Sequence, residues 1–233
     1  MLPFETNIIA AVRRHDLMMA ATLDAHGLLL RDDDDWEALA RRLEHYAHAY
    51  GELEQQLATG EEVTLFDHFR CRRRQLIPPA IMAEAAAATH ALYAFSIAWV
   101  PGFFLSRGIG PLWGGCAITD PENLLTIFLI RGNFARHPRW FIYHRAELLA
   151  HELCHAARMV LDDYRLEEYF AYQTAHSRLR RYLGNCFRTP VDAILFLIPI
   201  MLLPLVEIFR IIVGGTFPVW PFWLLAALYP LFM

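Results

Sequence analysis

Apolar residues Leu39, Leu43, Tyr46, Tyr50, Leu53 and Leu57 recur every three or four positions. That is the period of one helix face, and it predicts an amphipathic helix over residues 36–57. The four acids just before it, Asp32, Asp33, Asp34 and Asp35, suit a helix N-terminus and equally a solvated loop. Pro78-Pro79 restarts a helical pattern that runs through the alanine-rich stretch 80–93. Residues 4–94 therefore read as helical. From residue 95 the pattern changes. Residues 96–104 and 124–130 are apolar, β-branched and aromatic runs, with Gly108, Gly110, Pro111, Gly114, Gly115 and Pro121 between them. They read as strands joined by turns, with a further short strand over 115–119. Two more helices are expected at 141–160 and 163–183, the second stopped by Gly184-Asn185.

The end of the chain follows neither period. Residues 191–213 are almost uniformly apolar, and Thr189, Pro190 and Asp192 stand where an N-cap, a first-turn proline and an acid would start a helix. About 20 apolar residues cross a bilayer core, so this run is long enough. After Gly214-Gly215 a second apolar run, 217–233, carries Trp220 and Trp223 near its start. The pair predicts a transmembrane helical hairpin; the alternative is a buried helix pair of a soluble protein. Pro199 and Pro204 imply kinks, and Glu207 and Arg210, three apart, can pair on one face.

Composition sharpens this division. Of 233 residues 56% are hydrophobic, yet residues 190–233 hold only Asp192, Glu207 and Arg210 as charged groups, so the excess sits at the end of the chain. A net charge of −4 carries no nucleic-acid signature. The basic runs at Arg70, Arg72, Arg73, Arg74 and at Arg178, Arg180, Arg181 are local. The second run and Arg188 precede the first apolar segment, and the connecting turn lacks basic residues, which predicts a cytoplasmic main domain and C-terminus. No signal peptide is expected, because the apolar stretch 8–12 is short and follows Glu5. Cys71, Cys116, Cys154 and Cys186 form no close pair and suit a reducing compartment.

The chemistry lies in His151-Glu152-Leu153-Cys154-His155. Residues four apart on a helix lie one above the other, so His151 and His155 present two imidazoles to one point, two corners of a tetrahedral Zn2+ site. Glu152 flanks that point, where it can take a proton from a zinc-bound water and return it to a leaving amine. Cys154 points away from the histidine pair by helical phase. The following helix is rich in carboxylates and opens Arg165-Leu166-Glu167-Glu168-Tyr169-Phe170-Ala171-Tyr172. Asp162 and Asp163 read as caps of that helix, and Leu161 stands where a metzincin would place its third histidine.

On these residues the chain resembles the gluzincins, zinc peptidases with HExxH on one helix and a glutamate ligand on the next. The segment Glu168-Tyr169-Phe170-Ala171 is similar to the Glu-aromatic-x-Ala segment of membrane peptidases of the CaaX prenyl protease and heat-shock protease HtpX type. That resemblance covers about 30 residues, 146–175, and puts Glu168 at the ligand position with Glu167 as its rival. Two features depart from those families: Tyr172 stands where they place an aspartate, and only 12 residues separate His155 from Glu168.

The expected architecture is α+β: a helical region 1–94, a mainly helical zincin-like core with a small sheet at 95–189, and a two-span hairpin at 190–233 anchored in a lipid bilayer. The expected activity is a zinc-dependent endopeptidase acting on a protein or peptide substrate at the cytoplasmic face. Glu152 would be the base, and His176, eight residues after Glu168, an oxyanion donor or simply an exposed helix histidine. His144 reads as packing and Tyr164 as a weaker oxyanion donor. Residues 113–117, including Trp113, would lie near substrate on an edge strand. The alternatives are a non-catalytic membrane adaptor with a structural or degenerate zinc site, and an intramembrane zinc protease. Against the latter, the motif helix carries Arg145, Glu147 and Arg158.

Overall fold

The computed structural model describes residues 4–30, 34–60, 62–106, 114–119, 125–140, 143–158, 161, 164–184, 190–214 and 218–232. It is mixed α+β and mostly helical, with small sheets. Two compact units follow one another, residues 1–163 and 164–233.

The first unit opens with three helices, α1 (Thr6–Arg13), α2 (Leu17–Ala25) and α3 (Trp36–Ala58). Asp35 caps α3, its side chain accepting from the Ala38 N–H at 2.7 Å, and Asp34 pairs with Arg42 at 2.8 Å. All six apolar positions expected on α3 are buried. Leu39, Leu43, Tyr46 and Tyr50 close on Ile8, Ile9 and Val12 of α1 and Leu23 of α2. Leu53 and Leu57 pack elsewhere, against the sheet.

The expectation of an all-helical segment up to residue 94 is corrected by a hairpin, β1 (Val63–Leu65) with β2 (Phe69–Cys71), paired antiparallel. Its turn places Phe66 and Asp67 at φ 51° and 59°, with the His68 N–H bonded to the Leu65 carbonyl. Turns of this kind usually carry glycine or asparagine, so this one leaves little trace in the sequence. A 3-10 turn at Arg73–Gln75 leads into α4 (Pro79–Tyr93).

A three-stranded sheet follows, in the order β3 (Gly102–Leu105), β5 (Thr126–Arg131), β4 (Gly115–Thr119). β3 runs parallel to β5, and β4 runs antiparallel to it. The strand expected at 96–104 is thus shorter and later, whereas 115–119 is a strand as expected. Alternation along the strands divides the core. Phe104, Phe128 and Ile130 face α4 and the HExxH helix. Phe103, Leu105, Ile127 and Leu129 face Leu53, Leu57 and the β1–β2 hairpin. A strand buried on both faces reads as a continuous apolar run, as 124–130 does. Trp99 joins Phe4, Tyr46 and Tyr50 in one aromatic cluster, and the Tyr50 hydroxyl donates to the Thr126 carbonyl at 2.9 Å. The N-terminal helices therefore share their core with the sheet.

A second hairpin, β6 (Arg139–Trp140) with β7 (Tyr143–His144), occupies the start of the helix expected at 141–160. That helix, α5, spans Arg145–Arg158. Half-buried His144 belongs to β7, so it has no helical phase with His151.

In the second unit the single helix expected at 163–183 is two, α6 (Tyr164–Tyr172) and α7 (Arg178–Gly184). The Thr174 hydroxyl and N–H both bond the Ala171 carbonyl, which ends α6. Ser177 Oγ then accepts from the Arg180 N–H, which starts α7. A long helix, α8 (Pro190–Val213), packs against α9 (Trp220–Phe232). Gly214, at φ 63°, closes α8 in the left-handed conformation that glycine adopts without strain. One helix among the described residues, Ile194–Val213, is long and apolar enough to cross a membrane. Its side chains are largely exposed, Ile211 and Ile212 by 76%. Arg210 pairs with Glu207 at 2.8 Å, as the spacing predicts.

Candidate metal centre

α5 sorts its residues by face. Leu149, Ala150, Leu153, Ala156 and Ala157 enter the core against α4 and the sheet, which fixes the helix rotationally. His151 and His155 fall on the remaining face, half-buried. Their Nε2 atoms stand 3.1 Å apart, with ring planes at 73°. Two nitrogen lone pairs at that separation repel unless a proton or a cation lies between them. Two imidazoles each ~2.05 Å from a tetrahedral zinc ion would place their nitrogens roughly 3.3 Å apart, so the observed spacing fits metal binding. Cys154 is 1% exposed in the core, away from the pair as its phase predicts.

Glu168 completes the group: one ligand atom from each of His151, His155 and Glu168 lies within 4.8 Å of the others. This group can hold a metal ion, with two imidazole nitrogens and a carboxylate oxygen as its donor set. Glu168 and not its neighbour Glu167 is in the group.

Glu152 is 6% exposed and lies beside strand β4. Its Oε2 accepts from the Ala117 N–H at 2.7 Å. The register explains why that amide is available. Arg131 N bonds Gly114 O, so alternate β4 residues, Cys116 and Ile118, form the pairs hydrogen-bonded to β5. Gly115, Ala117 and Thr119 direct their backbone groups away from β5, and Glu152 meets the middle one. Burial, and secondarily the charge of Glu152, push the Cys116 thiol up to about 12.

Helical phase does not relate His176 to Glu168, because α6 ends at Tyr172. His176 lies exposed in the turn between α6 and α7. Ser177, whose hydroxyl caps the Arg180 N–H three positions on, is the sequence signal for this break. Tyr172 packs its ring on Gly184, where any side chain would collide with it. Trp113, Asp162, Asp163, Asn185, Cys186, Arg188 and Thr189 lie outside the described residues, as does the Tyr164 side chain. The motif that sequence reasoning missed altogether is the Glu152–Ala117 bond, which joins positions 35 apart.

No protein-family model, curated protein or solved structure matches this chain.

Proposed function

We propose that this protein is a membrane-anchored, zinc-dependent endopeptidase. The reading rests chiefly on one observation: the grouped His151, His155 and Glu168, with Glu152 buried beside an edge strand. Zinc held by these three side chains would leave a coordination position for water and would polarise that water and the scissile carbonyl. Glu152 takes the proton of the attacking water and delivers it to the leaving amine. The Ala117 N–H holds the carboxylate in place for both transfers. An extended peptide adds along the edge of β4 that faces away from β5, beside the Ala117–Glu152 contact. The bilayer is crossed by α8 with α9 as its return, and Arg178, Arg180 and Arg181 keep the catalytic unit at the cytoplasmic face.

Replacing Glu152 with Gln keeps the metal ligands and removes the base. The expected result is unchanged zinc content by elemental mass spectrometry, with cleavage reduced by about 10²–10⁴-fold. Comparing protein N-termini in cells carrying wild-type or Glu152→Gln protein reads out the loss on native substrates. Equal N-terminal profiles would sink the peptidase reading. A non-catalytic adaptor with a structural zinc site is favoured by one feature, Tyr172 packed on Gly184 where the related families place an aspartate. That reading expects bound zinc and no cleavage by the wild-type chain.

A further inference from the structure

The arginine run that the metal centre does not use has a place in the fold. An open cleft of about 990 Å³ lies along β3, at the sheet edge opposite β4. Arg70, Arg72, Arg74 and Arg136 all line it, together with His68 and His137, and Glu62 is the one carboxylate among the described lining residues. Glu62 is already engaged, with Arg72 at 2.8 Å and Arg70 at 3.6 Å. Arg74 and Arg136 have no ion-pair partner among the described residues. The walls are positioned, not merely adjacent in sequence. Gln75 Oε1 accepts from the Arg72 N–H at 2.8 Å, and Gln75 Nε2 donates to the Phe104 carbonyl of β3 at 3.2 Å. Arg136 arrives from a separate segment, after the 3-10 turn Gly132–Ala135. None of these residues belongs to the His151–His155–Glu168 group.

Among the described lining residues, four guanidinium groups stand against one carboxylate, an excess of positive charge in one cleft. Concentrated positive charge in a concavity focuses the field and attracts anions. Guanidinium forks match phosphoryl oxygens two at a time. An acidic peptide spreads its charge at roughly one per 3.3 Å of chain, whereas adjacent phosphoryl groups carry several negative charges in a small volume. We propose that this cleft is a binding site for a ligand bearing two or more phosphoryl groups, either free in solution or as a lipid headgroup.

The test uses the full chain in neutral detergent at about 0.15 M salt, where diffuse surface attraction is screened. Sodium tripolyphosphate and dioctanoyl phosphatidylinositol bisphosphate are titrated separately by calorimetry. Saturable binding of either supports the site, and the tighter of the two identifies the source. Arg74→Gln with Arg136→Gln is expected to weaken binding by about tenfold or more, since both lost contacts are charge-assisted. Arg73→Gln, on the same turn but outside the cleft, is expected to leave it unchanged. If the double variant loses its near-ultraviolet circular dichroism, Arg136→Gln alone is used, with a several-fold loss expected. Absence of saturation with both probes would overturn the proposal. Equal weakening by Arg73→Gln would also overturn it, as would a single-stranded RNA that displaces the probes and binds more tightly than either.

Discussion

Cys71 shows how a single residue carries a consequence for the whole chain. It is fully buried on β2, and burial, with the nearby charge of Glu62 second, pushes its thiol from 9 up to about 12. Burial likewise pushes the Tyr50 hydroxyl upward. For a thiol raised in this way the folded state favours the neutral form. Its contribution to stability is complete below about pH 9 and is lost as pH climbs from 9 toward 12. The urea midpoint is therefore expected to hold between pH 7 and pH 8 and to fall progressively above pH 9. Iodoacetamide at pH 8 should leave Cys71 unmodified in the native protein and label it after unfolding, as read by peptide mass. Native labelling at the rate of a free thiol would contradict the burial. At this scale His151 and His155 were legible in the sequence, because the spacing of two ligands on one helix is a local property. The choice of Glu168 over Glu167 rests on a resemblance, and the structure groups a ligand atom of Glu168 with those of the two histidines.

Elements were less legible wherever a short-range signal was atypical. The β1–β2 hairpin turns on Phe66 and Asp67 with no glycine, so periodicity alone read the region as helix. The division of 164–184 into α6 and α7 was signalled by Thr174 and Ser177, whose hydroxyls compete for backbone groups. The junction of those helices has a testable weak point. A methyl group at Gly184 would run into the Tyr172 ring. Gly184→Ala is expected to destabilise this unit by about 1–3 kcal/mol through overpacking. The measurement is a thermal melt of the variant beside Gly184→Ala combined with Tyr172→Ala. If the combined variant loses as much as the two single changes added together, the ring contact is not the cause.

Across the whole molecule the sharpest contrast is between the charged first 189 residues and the apolar end. The 20 residues of Ile194–Val213 extend about 30 Å as helix, the thickness of a bilayer core. The 13 residues of α9 extend only about 20 Å. A membrane accommodates such a short segment by thinning locally or by letting its flanks reach the interface. The full chain is expected to sediment with membranes and to resist alkaline carbonate extraction. A chain ending before residue 190 should appear in the soluble fraction. Recovery of the full chain in the soluble fraction would remove the membrane reading.

The sequence by itself determined what local periodicity controls. It placed two imidazoles one helical turn apart, gave α3 its apolar stripe and set the long uncharged run at the end of the chain. Tertiary structure alone decided which distant pieces meet. Tyr50 reaches Thr126 across 76 positions, and Glu152 reaches the Ala117 amide across 35. Arg136 joins Arg74 around one cleft. Such pairings depend on sheet register and on side-chain packing between elements. Neither repeats at a fixed interval along the chain, so no pattern of hydrophobic and polar positions encodes them locally.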